Sequence, residues 1–100
     1  MIKHIVVWKL KDEAHGNKKE INAGIIKEKL ESLNRKIDGL IKLEVGFDFS
    51  QTADSFDLVL YSEFKTKKDL ADYQIHPLHQ EIVPFIREAK SERRLIDYEI

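Results

Sequence analysis

The stretch Tyr73-Gln74-Ile75-His76-Pro77-Leu78-His79 places two of the chain's four histidines and one of its three tyrosines within a single short segment. Imidazole exchanges protons near neutrality, and a neutral phenol donates a hydrogen bond, so the pairing suits base chemistry beside a carbonyl. Pro77 sets the local geometry. Its ring holds φ near the helical value, and it lacks the N–H that a first-turn residue would leave unpaired. His76, before proline, is pushed toward extended backbone. The spacing predicts one short helix ending near Tyr73 and a second beginning at Pro77, with His76 at the junction. His79 then lies in the first turn of the new helix, where the positive end of the macrodipole favours a neutral ring able to accept a proton.

These residues need elements to hold them. Ile2 to Leu10 reads as a strand, with Ile2, His4, Val6, Trp8 and Leu10 on one face and Ile5 and Val7 on the other. His4 is expected to be a core histidine satisfied by one hydrogen bond. Lys11 to Gly16 reads as a polar connection. Asn17 is the expected N-cap of a long amphipathic helix, with Glu20 completing a capping-box pair. Ile21, Ile25, Ile26, Leu30, Leu33 and Ile37 form its stripe, and Asp38-Gly39 its stop.

Leu40 to Phe49 alternates as a second strand, with Ile41, Leu43, Val45, Phe47 and Phe49 on one face. Phe56 to Phe64 forms a third strand after the polar loop from Ser50 to Ser55. Thr66 and Asp69 repeat the cap pattern ahead of a short helix. The helix from Pro77 to about Lys90 carries Pro84 inside it, where a kink is expected. The last strand runs from about Arg94 to Ile100. The resulting order, β-α-β-β-α-β, is the split ferredoxin-like α+β arrangement: a four-stranded antiparallel sheet with helices on one face.

The strands offer Val6, Trp8, Leu58, Leu60 and several phenylalanines to two faces, and one helix layer covers only one of them. A second copy of the chain is the simplest cover for the other face, which predicts a homodimer with two sheets facing each other.

Composition narrows the function. The 100 residues fit one domain spanning 1–100; 42% are hydrophobic and 35% charged, as in globular proteins. A net charge of −1 leaves no strong field for nucleic acid or anionic lipid. Cysteine is absent, which removes disulfides, thiolate nucleophiles and zinc-thiolate sites. The run from Ile5 to Trp8 is too short for a signal-peptide core or a membrane span, so a soluble cytoplasmic protein without a membrane partner is expected.

Several segments resemble the stress-responsive A/B barrel (Dabb) domain family of the dimeric α+β barrel superfamily. They are Lys3-His4-Ile5-Val6-Val7 with Lys9-Leu10-Lys11, Val45-Gly46, Phe64, Tyr73-x-x-His76-Pro77-x-His79 and Asp97-Tyr98. The resemblance runs over essentially the whole chain and implies dimers whose sheets enclose a barrel-like cavity. Many family members carry no assigned reaction, so the family alone implies a homodimer with a small-molecule pocket. One branch, the plant olivetolic acid cyclases, closes linear polyketides without metal or cofactor. By resemblance to that branch, His79 would be the general base and Tyr73 the hydroxyl donor, with His4 and His76 hydrogen-bonded around them. Val6, Trp8 and Leu60 would be binding residues for a small apolar or carbonyl ligand. The cyclases use aromatic residues on the first helix where this chain has Ile21, Ile25 and Ile26, so their substrate does not transfer.

The alternatives remain distinct. The chain is either a non-catalytic dimer, in which His76 caps a helix and His4 and His79 satisfy each other, or a cofactor-independent cyclase, isomerase or lyase. A metal site at His76 and His79 with His4 has no evident carboxylate beside it. An RNA-recognition module shares the element order, but Phe56 to Phe64 lacks the glycine and basic start of that module's third strand.

Overall fold

Alternation in the first strand carries directly into burial. In the computed structural model, which describes residues 1–100, β1 (Ile2–Leu10) buries every second residue from Ile2 to Leu10. It pairs antiparallel with β5 (Leu58–Phe64) on one side and β6 (Lys90–Glu99) on the other. β4 (Leu40–Phe47) closes the far edge, giving the order β4-β5-β1-β6. Helices pack on one face only, and the fold is ferredoxin-like α+β as the element order predicts.

Between β1 and the first helix the chain departs from expectation. Residues 11–16 do not remain a plain connection: β2 (Glu13–Ala14) and β3 (Asn17–Lys18) form a small hairpin. Its turn is His15-Gly16, with φ of 54° and 72°, the left-handed pair that a tight two-residue hairpin requires. Asn17 is drawn into that ladder, so it cannot cap the helix. Lys18 holds the cap position without a side-chain hydrogen bond, and the expected Asn17–Glu20 capping box is absent.

Helix α1 (Lys19–Glu31) is also shorter than its apolar pattern predicts. Asn34 explains the stop. Its amide accepts from the Leu43 N–H at 3.0 Å and donates to the Leu43 carbonyl at 2.8 Å, so it pairs with β4 like an extra strand residue. Leu33 and Ile37 are still buried, from the turns beyond the helix. Ile21 is exposed and Asn22 is buried in its place, donating to the Ala14 carbonyl at 2.9 Å. Gly39, at φ +83°, opens β4, and a side chain there would run into Asp69.

Two sheet predictions also change. In β4 only Leu43 and Val45 are buried; a register shift near Leu40 turns Ile41 outward, and the strand ends at Phe47. Phe49 lies beyond it, fully in solvent. Val6, Trp8, Leu58 and Leu60 all lie on the helix-covered face and are buried there. The second apolar face exists but is built from other residues. Ile5 pairs with Tyr61 and Ile96, Val7 pairs with Val59, and Tyr98 pairs with Lys3.

Helix α2 (Lys67–Ile75) starts as predicted, with Thr66 Oγ1 accepting from the Asp69 N–H at 3.1 Å. The segment after it is not one kinked helix. It divides into α3 (Pro77–Gln80) and α4 (Val83–Ala89), with Pro84 in the first turn of α4. A proline there displaces no helical hydrogen bond, so breaking the helix just before it costs less than bending through it. Strand β6 follows α4 without a loop, from Lys90 rather than Arg94.

Candidate functional site

Tyr73 is carried inward by α2. It is 1% exposed and rests on Phe64, ring centroids 4.9 Å apart. Its hydroxyl has no hydrogen-bond partner. Burial pushes the phenol well above its ordinary pKa, so the group is a neutral O–H donor with nothing to donate to.

The turn between α2 and α3 brings His79 back against Tyr73. Their ring centroids lie 4.5 Å apart at an interplanar angle of 48°. His79 Nδ1 lies 3.2 Å from the Gln74 carbonyl oxygen. Since a carbonyl only accepts, Nδ1 carries the proton and Nε2 keeps its lone pair when the ring is neutral. Burial is the main force lowering the His79 pKa; the Gln74 contact opposes it, and His4, Arg93 and His76 add to the lowering. The macrodipole expected to favour this state is weak here, because α3 is a single turn of four residues. Desolvation carries the effect instead.

His76 occupies the predicted junction. It ends α2 and caps α3, its Nδ1 accepting from the Leu78 N–H at 3.1 Å. That bond fixes the turn that sets His79 on Tyr73. His76 therefore works first as a positioning residue.

His4 is 3% exposed, and its ring stands edge-on to Tyr73 at 6.4 Å. It does not pair with His79. Its Nδ1 donates to Asp97 Oδ1, the residue directly across the β1–β6 ladder. On the opposite side Ser62 Oγ donates to the His4 carbonyl at 2.8 Å. Asp97, part of the family-like segment Asp97-Tyr98, joins the candidate site without having been assigned a role in it from sequence. Its signal was a carboxylate in the alternating last strand, which acquires meaning only once β6 is known to pair with β1.

The cluster thus comprises a buried hydroxyl donor, a half-buried neutral base and a carboxylate-oriented histidine. Val6 and Leu60 pair across β1 and β5 on the same face, and Trp8 lies farther along it. Two clefts open elsewhere. One of about 560 Å³ lies between the start of α1 and the β4–β5 connection, lined by residues including Lys19, Phe47 and Asp57. The other, of about 300 Å³, is lined by residues including Val7, Phe49 and Val59. Neither includes Tyr73, His79, His4 or His76. No three histidine, aspartate or glutamate side chains converge as metal ligands. No helix is long and apolar enough to cross a membrane.

The lowered His79 pKa makes a testable statement about stability. Below about 6.5 the unfolded histidine binds a proton that the folded one resists. The unfolded state then holds more protons, so this contribution is full above about 6.5 and declines as pH falls toward the lowered folded value. The melting temperature of His79→Gln should therefore fall less than that of wild type between neutral pH and about pH 5. Parallel curves would remove the buried-neutral assignment.

Comparison with known proteins agrees with this fold. The profile of the Stress responsive A/B Barrel Domain family matches residues 2–100. The Stress-response A/B barrel domain-containing protein DABB1 of Arabidopsis thaliana is 26% identical over 103 residues, which cover 98% of this chain and 46% of that protein. The chain thus spans about half the length of that curated relative. A dimeric protein of unknown function and ferredoxin-like fold from Bacteroides fragilis is 34% identical, with a TM-score of 0.87 over 99% of this chain and 95% of that one. The hydroxynitrile lyase from Passiflora edulis shares the fold at 18% identity and a TM-score of 0.82, covering 99% of this chain and 92% of its own. With the family profile covering the chain nearly end to end, this protein belongs to the stress-responsive A/B barrel domain family.

Proposed function

We propose that residues 1–100 act as one domain in a cytoplasmic homodimer, each protomer binding a small carbonyl-bearing molecule at Tyr73 and His79. The observation that carries the site is the Tyr73 hydroxyl, buried and unpartnered. Buried polar groups are normally hydrogen-bonded, and an orphaned donor costs about 1–3 kcal/mol. A carbonyl oxygen arriving from a ligand would recover that energy. The dimer is supported by the helix-free sheet face, where Ile96 is 64% and Tyr98 42% exposed, and by the dimeric relative from Bacteroides fragilis. On that face Lys3 Nζ donates to Glu63 at 2.7 Å and to the Tyr61 hydroxyl at 2.5 Å, an internally neutralised cluster that a second copy can cover. The net charge of −1 and the absence of cysteine support a cytoplasmic partner other than nucleic acid or membrane.

A second reading is cofactor-independent proton transfer of the cyclase or lyase type, with His79 as general base and Tyr73 as hydroxyl donor. The specific observation for it is the free Nε2 of a ring kept neutral by burial and anchored through Nδ1. The fold shared with a hydroxynitrile lyase is compatible with such chemistry, which a fold alone does not assign.

One experiment covers both readings. Wild type and His79→Ala are screened by thermal shift against aromatic aldehydes, alkyl methyl ketones and β-diketones. Any stabilising compound is then followed in D2O by proton NMR. A compound should raise the wild-type melting temperature and leave the variant unmoved, since ligands stabilise only the state they bind. Loss of the α-proton signal with wild type alone would select the enzyme. No shift in any of the three classes would contradict the site.

A further inference from the structure

Two buried side-chain polar atoms in this protein have no hydrogen-bond partner: Tyr73 Oη and Trp8 Nε1. Both side chains lie on the helix-covered side of the sheet, Tyr73 1% and Trp8 4% exposed. Both atoms are donors, since indole N–H only donates and the buried phenol stays protonated. Orphaned buried donors are uncommon in native structures, and each asks for an acceptor.

Their placement is ordered. Trp8 follows His4 by four residues on the same face of β1, about 13 Å along the strand. Tyr73 stands against His4 at the other end. Between them the floor is apolar: Val6 pairs with Leu60, which pairs with Val45, and all three are buried. The fully buried polar residues of the protein are His4, Asn22 and Ser62; the charges at the rim of this layer are Asp97, bonded to His4, and Arg93, directly across β6 from Trp8. The helix layer is segmented where α3 gives way to α4, and Leu78 and Phe85 there are only partly buried.

We propose that the molecule bound at Tyr73 is elongated, with an oxygen acceptor at each end and a hydrocarbon middle. Tyr73 Oη–H donates to one oxygen and Trp8 Nε1–H to the other, while the middle lies on Val6 and Leu60. This rests on the Tyr73–His79 reading and adds the ligand's class to it.

The chain has a single tryptophan, so one indole N–H resonance reports on Trp8 without assignment by mutation. The probes are straight-chain diketones of ten and twelve carbons with a methyl ketone at both ends, set against mono-ketones of equal length. Binding is measured by titration calorimetry and by the indole resonance of 15N-labelled protein. The better-fitting diketone should bind wild type about tenfold more tightly than its mono-ketone, the worth of one hydrogen bond to a buried donor. The indole proton should move downfield, and the tenfold difference should vanish in Trp8→Phe. The wild-type indole signal keeps the test sharp if that variant does not fold.

Equal binding by both probe types with an unmoved indole signal would overturn the inference and leave the Tyr73–His79 site standing. So would a buried water that exchanges magnetisation with the indole proton and persists in the diketone complex. If neither probe binds while other carbonyl compounds stabilise the wild-type protein, the two-acceptor class falls and the site again survives. If no carbonyl compound binds at all, both fall.

Discussion

Tyr73→Phe should melt at a higher temperature than the wild-type protein. The substitution keeps the ring against Phe64 and His79 and removes only an oxygen that has no partner. An orphaned buried hydroxyl costs about 1–3 kcal/mol, and each kcal/mol moves the melting point of a domain this size by about 4–8 °C. The sign is the informative part, because most substitutions of fully buried residues destabilise. A rise means that the wild-type chain tolerates an unfavourable group in the empty state, as functional sites often do. A fall would mean that the hydroxyl has a partner in the folded protein, such as an ordered water, and would withdraw the strongest support for the site.

Ile96→Asp should convert a dimer into a folded monomer. Ile96 sits on β6 directly opposite Ile5, in a row that continues to Tyr61, on the face without helices. It is 64% exposed in the single protomer, so an aspartate there meets solvent and disturbs the protomer's own core little. In a sheet-to-sheet dimer the same aspartate is buried, once from each protomer. Two unpaired buried carboxylates cost several kcal/mol, and about 4 kcal/mol already weakens association roughly a thousandfold. Light scattering should read twice 11.7 kDa for wild type and 11.7 kDa for the variant, with unchanged far-UV circular dichroism. A wild-type monomer at micromolar concentration, or a dimer that survives the substitution, would place the interface elsewhere.

Much of the fold was legible because period and punctuation agreed. The alternation in Ile2–Leu10, the Thr66 cap and the break at His76-Pro77 each follow from residues next to one another in the chain. The failures share a different cause. Capping is the local preference of asparagine, but for Asn17 the pairing with Ala14 across a hairpin turn wins. Asn34 ended α1 by bonding to β4, a partner that helical periodicity does not reveal. The register shift near Leu40 reversed Ile41, and a one-residue slip changes the face of a strand residue.

The candidate site divides the same way. Tyr73, His76 and His79 were legible together because they are close in sequence and Pro77 fixes the turn between them. The role of His76 was readable as well, since a residue before proline and at a helix start is well placed to cap. Asp97 was not readable as the partner of His4, because ninety-odd residues separate them and only the β1–β6 register joins them. The lone donors of Tyr73 and Trp8 were invisible for a related reason. An unmet hydrogen bond is a property of surroundings, and a sequence names the donor but not its neighbours.

Ligand binding by this protein turns on whether the Tyr73 hydroxyl donates to a carbonyl oxygen. The decisive measurement is the dissociation constant of one stabilising carbonyl compound for wild type and Tyr73→Phe, by titration calorimetry in the same buffer. Losing one hydrogen bond to a buried donor should weaken binding about tenfold in the variant, although the variant should be the more stable protein when empty. Equal affinity for the two proteins would contradict the account, because the ligand would then bind without touching the group that defines its site.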